Sequence, residues 1–171
     1  RKDSFSKAVA KNLTKLFPAD FNLEVIEIGN LPLYNQDYDD LDQVPAEYTT
    51  FRNKMQTMDA VLFVTPEYNR SVPAVLKNAL DVGSRPYGAS VWDNKPAEIV
   101  SVSPGAISGF GANHHLRQSL VFLNMPTVQQ PEAYIGNVMN LLDDHGDVTN
   151  PDTLGFFQVI VDAFVTLINR Y

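Results

Sequence analysis

The sequence predicts an α/β fold in which helices cover both faces of a doubly wound, five-stranded parallel sheet. The run at residues 60–65 is apolar without interruption, as strands buried on both faces are. Segments of strand character alternate with segments whose apolar residues recur at helical spacing, which is typical of right-handed βαβ units. A chain of 171 residues has the length of one domain, so we expect residues 1–171 to form a single domain.

The individual elements follow from periodicity and from the residues that stop each run. The predicted helices share apolar residues at helical spacing and occupy residues 5–17, 46–58, 73–82, 112–124 and 152–170. The predicted strands occupy residues 23–28, 60–65, 97–102 and, more weakly, 127–129. The chain starts at a helix that, in this architecture, follows a central strand. We therefore expect that fifth strand to lie upstream of Arg1 in the intact protein.

Composition excludes several classes of function. The net charge of −7 and the lack of a basic block argue against a nucleic-acid partner. The chain has no cysteine, which rules out disulfides, thiolate metal sites and a cysteine nucleophile. His114 and His115 are adjacent and would point apart on a helix, so no metal site is expected. Without a signal peptide or an apolar run of ~20 residues, we expect a cytoplasmic protein with no membrane partner.

Three polar segments should meet at the carboxyl ends of the predicted strands. Open parallel sheets bind ligands at that edge. The first segment opens the first helix with Arg1, Ser4 and Ser6. Backbone N–H groups at a helix start, with two hydroxyls and a guanidinium, suit an anion such as a phosphate. The alternative is a capped helix start in solvent, since serine is a common N-cap.

The second and third segments are turns after two predicted strands. Residues 65–73 form a proline-bracketed turn whose backbone suits the polar edge of a planar heterocycle, with Tyr68 as an aromatic wall. The alternative is an ordinary turn with Tyr68 packed for stability. Residues 103–111 are rich in glycine, which lets the backbone approach a ligand closely, although a flexible turn would look the same.

The turn Pro66-Glu67-Tyr68-Asn69, followed by the helix at residues 72–81, resembles the NADPH-dependent FMN reductase family. Members of that family have a flavodoxin-like fold and include bacterial quinone, chromate and azo-dye reductases. Arg1, Ser4 and Ser6 are similar to the end of its phosphate motif. Residues 115–118 and 131–134 resemble the quinone and chromate reductase branch.

The resemblance implies a set of FMN-binding residues. The phosphate is expected to be held by Arg1, Ser4 and Ser6. One side of the isoalloxazine is expected to be lined, largely through backbone, by Pro66, Glu67, Tyr68 and Asn69. Its other side is expected to be closed by Ser103 and Gly105. Lys77 and Asp81 either support this site or simply pair with each other at (i, i+4). Val82 and the insert at residues 83–93 depart from the family pattern, which affects the substrate pocket.

The implied function is an FMN-dependent NAD(P)H oxidoreductase that reduces quinones, free flavin, azo compounds or similar small acceptors by ping-pong hydride transfer. The flavin supplies the chemistry, so no catalytic side chain is predicted. Apolar residues at 120–123 and in the last helix suggest a homodimer or homotetramer, with ordinary core packing as the alternative. His114 and Arg117 are further candidates for contact with the 2′-phosphate of the nicotinamide nucleotide or with a neighbouring subunit, more so Arg117; the alternative is a solvated helix face.

Two alternatives stay open at this point. A non-enzymatic, flavodoxin-type electron carrier would sandwich the ring between aromatic residues, and Tyr87 and Trp92 are available in the insert. Such a carrier would scarcely consume NAD(P)H by itself. A structural domain that has lost its flavin is the other alternative, because fold alone does not decide function.

Overall fold

The computed structural model describes residues 3–171, so Arg1 and Lys2 lie outside the described part of the chain. Its helices, in chain order, are α1 Phe5–Thr14, α2 Asp37–Asp40, α3 Ala46–Gln56, α4 Ala74–Gly83, α5 Phe110–Phe122 and α6 Pro151–Ile168. Its strands are β1 Val61–Pro66, β2 Ala97–Val102 and β3 Ala133–Ile135. The five helices expected from periodicity are present; the largest difference is that α1 ends at Thr14 rather than at residue 17.

The strands form one parallel sheet in the order β1-β2-β3. Pro66 at the end of β1 is paired with Val102 at the end of β2, and Val102 is paired with Ile135 at the end of β3. The carboxyl ends of all three strands therefore lie side by side. The segments that leave the sheet there start from neighbouring positions.

Two predicted strands are wrong. Residues 23–28 form no strand. A strand needs a hydrogen-bonded neighbour, and none of the described strands pairs with this segment. Residues 127–129 form only an isolated bridge to Ala97, and β3 begins further on, at Ala133. Pro126 and Pro131 bracket that segment and lack the backbone N–H that a strand ladder needs. The predicted count of five strands is not reproduced by the described residues.

Each face of the sheet buries its own apolar cluster. One cluster joins the sheet to α3, α4 and α5 and includes Phe51, Phe63, Leu80, Trp92, Ile99 and Leu116. The other joins the sheet to α1 and α6 and includes Val9, Leu13, Val100, Val102, Phe157 and Ile160. Every residue of β2 is buried, as expected for the middle strand of a sheet covered on both sides. The doubly wound, three-layer arrangement follows from these two clusters.

Helix α6 closes the second cluster. By length and composition alone it is the one helix of the described chain that could also cross a membrane. Phe157, Ile160, Val161 and Phe164 are nevertheless buried, the first three of them in the apolar cluster against the sheet. An apolar helix of this kind is what the core of a doubly wound fold requires, and it is weak evidence for a membrane span.

Candidate functional site

The candidate site lies at the carboxyl ends of β1 and β2. The turn at residues 67–71 leaves β1 at Pro66, and the glycine-rich loop at residues 103–109 leaves β2 at Val102, its register partner. The structure thus brings Pro66, Glu67, Tyr68 and Asn69 to the same edge of the sheet as Ser103 and Gly105.

The turn after β1 is tightly closed. Tyr68 and Ser71 exchange two backbone hydrogen bonds, each of 2.9 Å. The two residues between them, Asn69 and Arg70, have φ angles of 51° and 67°. Positive φ at both central positions is the signature of a type I′ turn, in which asparagine is favoured. The Tyr68 side chain is 58% exposed at this turn, so it is free to contact a ligand rather than packed into the core.

The Glu67 side chain turns back into the protein. Its Oε2 accepts a hydrogen bond of 3.1 Å from the backbone N–H of Ala112, in the first turn of α5. Its Oε1 accepts one of 2.8 Å from the Arg70 guanidinium. The side chain is only 10% exposed. Sequence reasoning placed Glu67 at the ring through its backbone and missed this side-chain contact; the glycine at residue 111, which the contact requires, was the available signal.

The loop after β2 is held by serine hydroxyls and by short backbone contacts. Ser103 Oγ accepts a hydrogen bond of 3.1 Å from the N–H of Gly105, and Ser101 Oγ donates one of 2.8 Å to the Ser108 carbonyl. Gly109 has φ of 75°, a region that disfavours other residues. A Cβ at Gly105 would meet only Ser103 Oγ, at 3.6 Å. The backbone at Gly105 is therefore open to close approach by a ligand.

The first predicted segment is described only in part. Ser4 is the N-cap of α1, and its Oγ accepts a hydrogen bond of 3.2 Å from the N–H of Lys7. Helix α1 packs across β1 and β2, and Ser6 is half-buried in its first turn. The capping interpretation of Ser4 is thus correct, while a phosphate contact by Ser4 or Ser6 stays a prediction. The same prediction for Arg1 lies outside the described residues.

An open cleft of about 580 Å³ borders the turn, between α4 and α5. Its lining includes Tyr68, Asn69, Ser71, Lys77, His115 and Gln118. His115 Nδ1 lies 2.9 Å from Ser71 Oγ. Lys77 is paired with the Asp81 carboxylate at 2.7 and 2.8 Å, which is the simple (i, i+4) pairing that the sequence left open. The cleft gives a flat molecule access to the turn from the solvent.

Comparison with known proteins decides the family. The family model for NADPH-dependent FMN reductase matches residues 1–140. The chain belongs to the NADPH-dependent FMN reductase family. It is 55% identical to a quinone reductase of Pseudomonas putida over 97% of this chain and 88% of the relative. It is 43% identical to a 2-hydroxy-1,4-benzoquinone reductase of a Burkholderia species, over 96% of this chain and 88% of that protein.

A solved structure shows the same fold. FerB of Paracoccus denitrificans, a flavoenzyme NAD(P)H:(acceptor) oxidoreductase, superposes with a TM-score of 0.92 at 38% identity and covers 99% of this chain and 92% of that chain. The predicted family, the flavodoxin-like fold class and an oxidoreductase that uses FMN with NAD(P)H are thereby confirmed.

The Arg117 side chain makes hydrogen bonds within the protein. Its Nε donates a hydrogen bond of 2.9 Å to Asn113 Oδ1, and Nη1 donates one of 2.9 Å to the Val128 carbonyl. Nη2 is buried without a hydrogen-bond partner among the described residues. The suggestion that Arg117 meets the nicotinamide nucleotide or a second subunit stays a prediction. The residue ties α5 to the segment before β3.

The aromatic group beside α5 consists of Phe110, His114 and Tyr134. The rings of Phe110 and His114 are 4.2 Å apart, and His114 Nε2 lies 2.9 Å from the Tyr134 hydroxyl. Burial, reinforced by the Glu132 carboxylate, raises the pKa of Tyr134 to about 12. Tyr134 therefore stays a neutral hydroxyl at all ordinary pH values and contributes hydrogen bonding rather than charge.

The aromatic pair that an electron carrier would need is not available in the insert. Trp92 is 2% exposed, its ring lies 6.0 Å from Phe51 and 6.2 Å from Phe63, and its Nε1 donates to the Leu80 carbonyl at 2.9 Å. Tyr87, in contrast, is 95% exposed. Trp92 is a core residue, so it is not available as the aromatic wall that the electron-carrier alternative would use.

The residues at the sheet edge fit FMN. An exposed tyrosine, a rigid backbone turn and an unhindered glycine backbone are what a planar ring with a polar edge needs. The fit rests on backbone groups more than on side chains.

Proposed function

We propose that this chain is an FMN-dependent NAD(P)H oxidoreductase that reduces quinones and similar flat acceptors, with donor and acceptor using one place in turn. The observation that carries this proposal is the juxtaposition of the closed turn at Tyr68–Ser71 with the open backbone of Gly105 at adjacent strand ends. The names of the relatives, a quinone reductase and a benzoquinone reductase, support the choice of acceptor.

The binding roles follow the three segments of the edge. In this proposal Arg1, Ser4 and Ser6 hold the phosphate of FMN. Pro66, Glu67, Tyr68 and Asn69 border one side of the isoalloxazine, and Ser103 and Gly105 border the other. The N–H groups of the turn and of the loop are the donors on offer to the polar edge of the ring.

FMN, when bound, supplies the chemistry by accepting a hydride from NAD(P)H and passing it to the acceptor. The protein's part is orientation and access. The turn fixes the plane against which the ring rests, because its two reciprocal hydrogen bonds leave the backbone little freedom. Tyr68, exposed at the mouth of the cleft, is the side chain best placed to contact the ring or a stacked acceptor. No side chain is assigned as acid or base.

The enzyme is favoured over the electron carrier by the buried position of Trp92, which removes one of two candidate aromatic walls. We further propose that the protein acts in the cytoplasm as a homo-oligomer. Val121 and Phe122 on α5 support an oligomer, since these large apolar side chains are 75% and 83% exposed.

The test is an absorption spectrum of the protein purified without added cofactor, followed by NADPH under argon and then by a quinone. An oxidised flavin gives bands near ~375 and ~450 nm, and we expect NADPH to bleach them and the quinone to restore them. A yellow protein that NADPH fails to bleach would favour the carrier. A colourless protein that takes up no added FMN would overturn the proposal.

A matched pair of tyrosine variants sharpens the test. Tyr68→Ala should weaken FMN binding or lower kcat/KM by roughly tenfold, as the loss of an aromatic contact does. Tyr87→Ala, at a tyrosine that is even more exposed but lies in the insert, should change either value by less than about twofold. Equal effects of the two changes would contradict the placement of the ring at the turn.

A further inference from the structure

Glu67 is a nearly buried carboxylate that joins two elements of the site edge. One oxygen accepts from the N–H of Ala112 at 3.1 Å and the other accepts from Arg70 at 2.8 Å, while the side chain is 10% exposed. The geometry points to Glu67 as a positioning residue: its side chain clamps the turn at Tyr68–Ser71 onto the start of α5. This inference rests on the proposed function, in which that turn borders the flavin ring.

The charge of Glu67 is matched to where it lies. The first N–H groups of a helix have no partner within the helix and carry a partial positive charge. Gly109, the N-cap of α5, has no side chain that could accept from them. The Glu67 carboxylate takes that role from another segment of the chain. A charge-assisted hydrogen bond at a nearly buried position is among the stronger ones, so the turn and the helix should move as one unit.

Gly111 shows how closely the two segments approach. A Cβ at this position would lie 2.7 Å from the Arg70 carbonyl oxygen and 2.9 Å from Glu67 Oε2. Only a residue without a side chain allows the turn to rest against the helix at this distance. The clamp therefore has two parts, an acceptor supplied by Glu67 and a space supplied by Gly111.

Arg70 adds little to the clamp. Its side chain is 68% exposed, and ion pairs at the surface contribute weakly because water and salt screen them. Arg70 therefore offers a matched control: Arg70→Asn removes the ion pair yet tolerates the left-handed backbone at φ of 67°. Glu67→Gln keeps an oxygen for the Ala112 N–H but loses the charge, and Glu67→Ala loses both.

The experiment measures the dissociation constant of FMN from each apoprotein by flavin fluorescence, and the visible circular dichroism of the bound flavin. We expect Glu67→Ala to weaken binding by roughly 10- to 100-fold, as loss of a hydrogen bond to a charged group does. Glu67→Gln should recover most of that loss, and Arg70→Asn should change the constant by less than about twofold. Altered circular dichroism in Glu67→Ala would report a displaced ring.

Gly111→Ala provides a second, independent variant. Alanine favours helices more than glycine, so a role limited to helix stability predicts no loss of FMN affinity. The clamp predicts a loss, because the added methyl pushes the turn away.

Unchanged FMN affinity and dichroism in Glu67→Ala, with only a lower melting temperature of the apoprotein, would overturn the inference and leave Glu67 a structural residue. Failure of the proposed function is distinguishable, since there the wild-type protein itself would bind no FMN or would resist reduction by NADPH.

Discussion

The two ends of the middle strand, β2, differ in how fully their polar side chains are hydrogen-bonded. At the carboxyl end, Ser101 Oγ donates to the Ser108 carbonyl at 2.8 Å, and Ser103 uses both its N–H and its hydroxyl in hydrogen bonds. Near the amino end, the Glu98 carboxyl is fully buried, and its Oε2 has no hydrogen-bond partner among the described residues. Arg117 Nη2 is in the same situation.

At the carboxyl end of β2, where the candidate site lies, the hydrogen bonds of Ser101 and Ser103 hold the loop after the strand in one conformation. A surface that orients a cofactor needs such rigidity. Glu98, at the amino end of β2, accepts a hydrogen bond of 3.0 Å from the N–H of Ile99 and no other from the described residues. Burial there raises the pKa of Glu98 to about 8, although hydrogen bonding by Ile99 and the charge of Arg117 oppose the shift. The Glu98 carboxyl at the amino end of β2 thus destabilises the folded protein, whereas Ser101 and Ser103 at the carboxyl end, where the site lies, do not.

The largest effect on the free energy of unfolding is expected from Gly109→Ala, which distorts the loop at the carboxyl end of β2. Gly109 has φ of 75°, and a Cβ there would lie 2.9 Å from Ser101 Cβ. Left-handed strain and crowding in a packed region together should cost roughly 2–4 kcal/mol of the free energy of unfolding, measured by urea denaturation of the apoprotein. FMN affinity should fall as well, because the loop moves.

Gly155→Ala is the control for that change. Gly155 lies inside α6, and a Cβ there would meet nothing within 4 Å. The substitution should raise the free energy of unfolding by about 0.5–1 kcal/mol, the usual gain of alanine over glycine in a helix. If both substitutions destabilised the protein equally, the special strain at Gly109 would be disproved.

The next effect concerns pH and the amino end of β2. Because the folded protein holds a proton on Glu98 that the unfolded chain releases above its ordinary pKa of 4.5, the free energy of unfolding should fall as pH rises from about 5 toward about 8. The slope from this one group is at most about 1.4 kcal/mol per pH unit. Glu98→Gln removes the titration and should flatten the slope in urea titrations at several pH values.

Glu47→Gln serves as the matched change of net charge, since Glu47 is exposed in the first turn of α3. That variant should keep the slope of the wild type. A Glu98→Gln protein whose stability still fell with pH as steeply as the wild type would contradict the assignment of the proton to Glu98.

Local pattern predicted much of the fold, and tertiary pairing accounts for what it missed. The apolar run of β1 and the helices were recoverable because burial on one or two faces leaves a periodic trace in the sequence. Whether residues 23–28 form a strand depends on a neighbouring strand, which the periodicity of that segment cannot reveal. Residues 127–129 lie between Pro126 and Pro131, which have no N–H to donate to a strand ladder, and this is visible in the sequence.

At the site, the sequence identified which segments converge but not what each side chain does. The order of strands makes the ends of β1 and β2 neighbours, so the turn and the loop could be placed together. The inward turn of Arg117 depends on the position of the Val128 carbonyl, and the burial of Trp92 depends on Phe51 and Phe63. Such contacts join residues that are distant in sequence, and spacing alone carries no information about them.

The smallest effect tests whether the hydroxyls at the site end stabilise it one by one. Ser101 is fully buried, and its Oγ donates to the Ser108 carbonyl, which lies in the loop beside the proposed flavin. Ser101→Ala should cost about 1 kcal/mol of the free energy of unfolding, because the carbonyl loses its donor inside the protein. Ser119→Ala is the control, since that hydroxyl only donates to the carbonyl four residues earlier in α5 and should matter little. If the two variants unfold at the same urea concentration as the wild type, the loop after β2 is held by its glycine geometry rather than by Ser101. Its rigidity would then have a different origin from that of the turn after β1.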